Sequence, residues 1–168
     1  MLSSAVLAGL LNSFMDEKVN LVNATDIARS RGLEIEESTR RRERGFANTI
    51  EVALVNAGKE LAVEGTVLSD SSLRILRFDG IPLEAPLEGT LLLTRNRDVP
   101  GVIGEIGTTL GRLGVNIATF ALGRRAPTMG ADAVALVRVD GEASESILGP
   151  IRAIPSITEA RLIRLPQN

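Results

Sequence analysis

The stretch best equipped for chemistry is Asn96-Arg97-Asp98-Val99-Pro100-Gly101-Val102-Ile103-Gly104. An apolar run ends before it, a short loop turns, and Pro100 starts a helix where its missing N–H costs nothing. A helix start carries unpaired amides, a natural carboxylate site. Asp98 beside it offers an acceptor for an ammonium group. Carboxylate and ammonium recognition together suit a free α-amino acid. The same Asp98 also fits a plain helix cap, and spacing alone leaves both roles open. Asn116, directly after Gly114-Val115, can contact a ligand or a partner chain, or simply close a turn. Arg74 and Arg77 flank Ile75-Leu76. Arg74 suits a phosphate or carboxylate, or plain exposure.

What is missing narrows the chemistry further. The chain of 168 residues has no His and no Cys. That removes the usual general bases, the Ser-His and Cys-His nucleophiles, and nearly every zinc or iron–sulfur site. No metal and no catalytic residue is expected. Gly101, Gly104 and Gly107 imitate a dinucleotide fingerprint, but the spacing is GxxGxxG and no acidic ribose-binding strand end follows. A net charge of −2 gives no general affinity for nucleic acid. No window approaches the ~18 consecutive apolar residues of a membrane helix. The opening MLSSAVLAGLLNSFM lacks a basic segment, and its Leu7, Leu10, Leu11, Phe14 spacing fits one face of an amphipathic helix. A cytoplasmic protein with no membrane partner is expected.

The elements that must position these residues fall into two halves, 1–86 and 87–168. The boundary is LEAPLEG, with Pro82 and Pro86 close by. The first half predicts a helix from Ser3 to about Met15 and a short one opened at Asn23 and stopped at Gly32. Strands are predicted at Leu33–Thr39, Asn48–Asn56, Lys59–Leu68, Arg74–Phe78 and Ile81–Leu83. Asn56-Ala57-Gly58 and Asp79-Gly80 predict hairpin turns. The basic run Arg40-Arg41-Arg42 with Arg44 lies among glutamates and reads as a solvated strand face. The second half predicts β-α-β-β-α-β. Its strands are Thr90–Thr94, Asn116–Leu122, Ala133–Val139 and Ile157–Leu165; its helices are Gly101–Leu113 and about Ser144–Ala153, the latter shortened by Gly149-Pro150. The first and third strands are the most apolar and belong in the sheet centre. Ile103, Ile106, Leu110 and Leu113 predict the core face of the long helix. Gly104, Gly107, Gly111 and Gly114 form a stripe beside it. Glycine disfavours helix by ~1 kcal/mol per residue relative to Ala, so either close approach of a neighbour, such as another subunit, compensates, or the stripe reflects drift with Gly114 as the helix stop. The fold class is α+β: a small antiparallel sheet with two helices, then a ferredoxin-like βαββαβ domain.

Asn96–Gly101 together with Gly114-Val115-Asn116-Ile117-Ala118 resembles the ligand loop and second strand of ACT domains. Ala153-Ile154-Pro155-Ser156-Ile157 with Ala160-Arg161-Leu162 resembles their last helix and strand. Val19–Ala24, Ala28–Gly32, Glu64-Gly65-Thr66-Val67 and Arg74-Ile75 through Gly80 resemble the intervening, allosteric-substrate-binding domain of bacterial D-3-phosphoglycerate dehydrogenase. The resemblance covers essentially the whole chain. It implies the C-terminal regulatory part of that enzyme of serine biosynthesis, with NAD and catalysis belonging to catalytic domains outside this chain. It implies L-serine as feedback effector, held where ACT domains pair side by side. By matched position Asn96, Asp98, Val99, Pro100, Gly101 and Val102 surround the effector, and Asn116 of the adjoining chain holds its other end. Asn96 stands where some relatives place an aromatic or His side chain. Arg74 matches one basic position of an anion site in the intervening domain. Two other readings stand beside this one: a component like the β subunit of L-serine dehydratase, whose Ser/His-rich motif is absent here, and a ligand-free ACT module that only mediates oligomerisation.

Overall fold

The computed structural model describes residues 1–39, 48–141 and 143–165. The basic run at 40–44 lies outside the described residues. The chain forms two compact units, 1–47 and 48–168.

The first unit contains α1 (Leu2–Asn12) and α2 (Ala24–Ser30). Leu7, Ala8 and Leu11 of α1 meet Val19, Ala24 and Ala28 in a small core. Phe14, expected on the apolar face, is 80% exposed, because α1 ends two residues before it. Asn12 fixes the connection: its amide donates to the Val19 carbonyl at 2.7 Å and its oxygen accepts from the Val19 N–H at 2.9 Å. Gly32 follows α2 with φ +78°, the left-handed conformation that ends helices. Leu33–Thr39 is not a strand. Its alternating Glu residues imitate a period of two, but Glu34, Glu36 and Glu37 leave too little apolar surface to pack a sheet face.

The second unit holds both sheets. β1 (Thr49–Asn56), β2 (Lys59–Val67), β3 (Leu73–Phe78) and β4 (Ile81–Pro86) form an antiparallel meander in that order. Ala57-Gly58 and Asp79-Gly80 close two-residue hairpins with positive φ at both positions, as the right-handed strand twist favours. The LEAPLEG stretch begins as strand rather than linker: β4 runs through Pro86, with Ile81, Leu83 and Ala85 buried and Pro82 and Glu84 turned outward. Pro is tolerated there because β4 is an edge strand.

The second sheet has the order β6-β7-β5-β8, from β5 (Thr90–Arg97), β6 (Ile117–Arg124), β7 (Asp132–Val139) and β8 (Ile157–Arg164). β5 and β7 are central, as their apolar runs predict. One face carries α3 (Val102–Arg112), a 3-10 turn at Glu145–Ile147 and α4 (Leu148–Arg152). Leu92, Ala135 and Val137 pack on that side; Leu91, Leu93, Val134 and Leu136 pack on the other, against Ile75, Ile81, Leu83 and Ala85 of the first sheet. The central strands are apolar on both faces because both faces are covered. In α3 the buried residues are Val102, Ile106 and Leu110. Ile103 and Leu113, expected in the core, are 51% and 43% exposed, because the buried stripe steps by four through Val102, Ile106 and Leu110, and Leu113 lies past the end of α3.

Candidate ligand cleft

The turn from β5 into α3 is held by backbone hydrogen bonds before any side chain is considered. The Arg97 N–H donates to Ser156 O at 2.9 Å, and the Asp98 N–H to Ala131 O at 2.8 Å. The Gly130 N–H returns a bond to Asp98 O at 2.7 Å. The loop between β6 and β7 therefore braces the turn from one side, and the approach to β8 from the other. Gly101, with φ +97°, caps α3 in a conformation that favours glycine.

Around this turn lies a cleft of about 470 Å³. Asn96, Asp98, Val99, Pro100, Gly101 and Val102 all line it. Asn96 is 3% exposed. Its Nδ2 donates to Arg97 O at 2.9 Å, while its Oδ1 is buried without a hydrogen-bond partner. A buried acceptor left open is costly, so a donor arriving in the cleft would be rewarded. Asp98 makes no cap bond to α3. Its Oδ2 accepts from Arg124 Nη1 at 3.2 Å, and the carboxylate is 19% exposed against 53% for the guanidinium. The helix-cap alternative for Asp98 therefore falls away: the turn sets Gly101 three residues later as the cap. Val99 lines the cleft, but its N–H is spent on Arg97 O at 3.0 Å. The amides of the first turn of α3 remain the open donors.

Asn116 stands elsewhere. It precedes β6, beyond the C-terminal end of α3, and its Nδ2 donates to Asp140 Oδ2. Arg74 lies on β3 in the other sheet, opposite Thr66 and Pro86. Its neighbour Arg77 is committed to Glu64 at 3.3 Å. Sequence reasoning missed Leu122, Arg124 and Met129, which close the cleft from β6 and the loop after it. The only available signal was an arginine at the end of an apolar strand, 26 residues from its partner. Among the described residues no group of His, Cys, Asp and Glu could hold a metal ion, and no helix is long and apolar enough to cross a membrane.

Comparison with known proteins places names on this arrangement. Residues 1–79 match the D-3-phosphoglycerate dehydrogenase intervening domain, and residues 90–156 match the ACT domain. The D-3-phosphoglycerate dehydrogenase of Synechocystis sp. is 31% identical over 161 residues, covering 96% of this chain and 29% of the relative. That of Methanocaldococcus jannaschii is 32% identical over 165 residues, covering 98% and 31%. That of Bacillus subtilis is 30% identical over 165 residues, with the same two coverages. The chain spans less than a third of the length of these relatives and aligns with their C-terminal regulatory portion, not with their catalytic domain. The chain belongs to the regulatory region of the D-3-phosphoglycerate dehydrogenase family, an intervening domain followed by an ACT domain.

Proposed function

We propose that this chain senses L-serine in the cleft between β5 and α3 and pairs with a second copy to regulate NAD-dependent D-3-phosphoglycerate dehydrogenase catalytic domains. The observation that carries the reading is that Asn96, whose buried Oδ1 has no partner, and the Asp98 carboxylate line one cleft together with the first turn of an 11-residue helix. An α-amino acid presents an ammonium to acceptors and a carboxylate to amides. Serine adds a small hydroxyl that fits a cleft of this size. The effector acts by binding one arrangement of subunits better than another, a coupling typically worth ~1–3 kcal/mol.

Self-pairing draws support from the helix. A Cβ at Gly104 or Gly111 would meet no atom of this chain within 4 Å, so packing inside the chain does not call for glycine there, whereas Gly114, with φ +71°, is accounted for as the glycine that ends α3. A partner helix pressed against the stripe supplies the reason. Side-by-side pairing with the two α3 helices antiparallel carries the partner's end of β6 along a helix of about 16 Å. In that arrangement Asn116 of one copy approaches the cleft of the other. Boundaries near residue 87, an anion site at Arg74 and the placement of Asn116 in the paired cleft belong to the same proposal.

The test is a calorimetric titration of the 168-residue chain with the twenty amino acids. Serine is expected to bind saturably and ahead of the others. Absence of any serine heat across a millimolar range, with a folded protein, would remove the effector reading and leave a ligand-free oligomerisation module.

A further inference from the structure

We propose that Arg124 is a binding residue of the effector cleft, and that its guanidinium takes the carboxylate of the amino acid. The inference rests on the effector reading above and deepens it. At the cleft Arg124 and Asp98 neutralise each other, Nη1 to Oδ2 at 3.2 Å. A zwitterion carries the same two charges in the opposite sense. It can enter between them, giving its ammonium to Asp98 and its carboxylate to Arg124, so no charge is left without a partner. A serine held only by Asp98 and the helix amides would instead leave Arg124 without its counter-charge, beside a ligand carboxylate that it could pair with.

Geometry supports the exchange. Arg124 is the last residue of β6, and its neighbours Leu122 and Met129 also line the cleft. The guanidinium is 53% exposed, so it can turn toward a ligand without leaving a buried void, whereas Asp98 is sheltered and fixed through its backbone. A guanidinium is a planar fork of five donors and binds a carboxylate with two parallel bonds, which a helix terminus cannot match in directionality. The loop after Arg124 is anchored on its far side: Arg125 Nη2 donates to Asp79 O at 3.1 Å, in the β3–β4 turn. Arg124 is therefore presented from a strand end that is braced at Arg125, whose backbone N–H also donates to Asp132 O at 2.9 Å.

The experiment compares L-serine with ethanolamine, which keeps the ammonium and the hydroxyl and lacks the carboxylate. Both are titrated into wild type, Arg124→Gln and Arg124→Lys, with a thermal melt of each variant as the folding control. Wild type is expected to prefer serine over ethanolamine by at least tenfold. Arg124→Gln is expected to lose about 10- to 100-fold in serine affinity while ethanolamine binding changes little, collapsing the preference. Arg124→Lys is expected to keep the charge and recover part of the serine affinity. An undiminished serine preference in Arg124→Gln overturns the inference and assigns the carboxylate to the helix amides alone. Tighter serine binding in Arg124→Gln also overturns it, showing that Arg124 only competes for Asp98. Failure of wild type to bind serine at all removes the effector reading itself, and this inference with it, and is told apart by needing no variant.

Discussion

Asp98 occupies a position where a carboxylate has two ordinary uses, and the two uses predict different mutants. As a helix cap it would contribute ~0.5–2 kcal/mol of stability. It makes no such bond; Gly101 is the cap, and the carboxylate meets Arg124 instead. A half-exposed ion pair is worth ~0–1 kcal/mol. Asp98→Asn should therefore melt within a few degrees of wild type. If Asp98 receives the ligand ammonium, the same substitution should weaken serine binding by roughly 10- to 150-fold, the loss of a charge-assisted bond of ~1.5–3 kcal/mol. Wild-type affinity in Asp98→Asn, measured by titration, would take Asp98 out of the site. The loop was legible in the sequence because helix-start chemistry is local: Asn96 through Val102 are contiguous. Arg124 was not, because its role depends on how β6 lies across the sheet from β5, with β7 between them.

The elements carry two glycine positions whose physics is opposite. Gly123, near the end of β6, has the carbonyl of Pro82 at 2.3 Å from where a Cβ would stand, and Ile81 Cγ2 at 2.8 Å. The two sheets touch there through backbone. Gly123→Ala should force them apart and cost about 1–3 kcal/mol or more, lowering the melting temperature by several degrees. A melt equal to wild type would mean that the sheets do not meet at Gly123. Gly111, on α3, has open space at the same test. Gly111→Ala should favour the helix of an isolated chain by ~1 kcal/mol. If two copies press along the stripe, it should also weaken self-association, lowering the association constant about tenfold or more in sedimentation equilibrium. An unchanged association constant would deprive the stripe of its intermolecular role. Sequence periodicity found both glycine-bearing elements but not the difference between them. A glycine that touches another sheet and one that touches nothing look alike in a chain. The same limit explains β4: its prolines hid an alternation of Ile81, Leu83 and Ala85 that only an edge position permits.

For the unit spanning 48–168, the question is what closes the helix-free face of the ACT sheet. Leu91, Leu93, Val134 and Leu136 lie on that face and are each 5% exposed or less, covered by β3 and β4 of the meander with Val63 of β2. Burying one such side chain fully is worth ~1.5–3 kcal/mol, so the four together are worth on the order of 6–12 kcal/mol. That equals the entire net stability of an ordinary domain, ~5–15 kcal/mol. The proline-marked boundary at LEAPLEG therefore coincides with a change of sheet, and losing the cover before it is expected to destabilise the ACT sheet. A piece comprising residues 87–168 should be insoluble, or lack a cooperative melt and bind a hydrophobic dye. A piece comprising 48–168 should melt in one sharp transition by calorimetry. The contrast is demanding, because the shorter piece retains α3, α4, all four strands of its own sheet and the whole cleft. A soluble, cooperatively melting 87–168 piece would mean that another surface, such as a second copy, closes that face as well as the meander does.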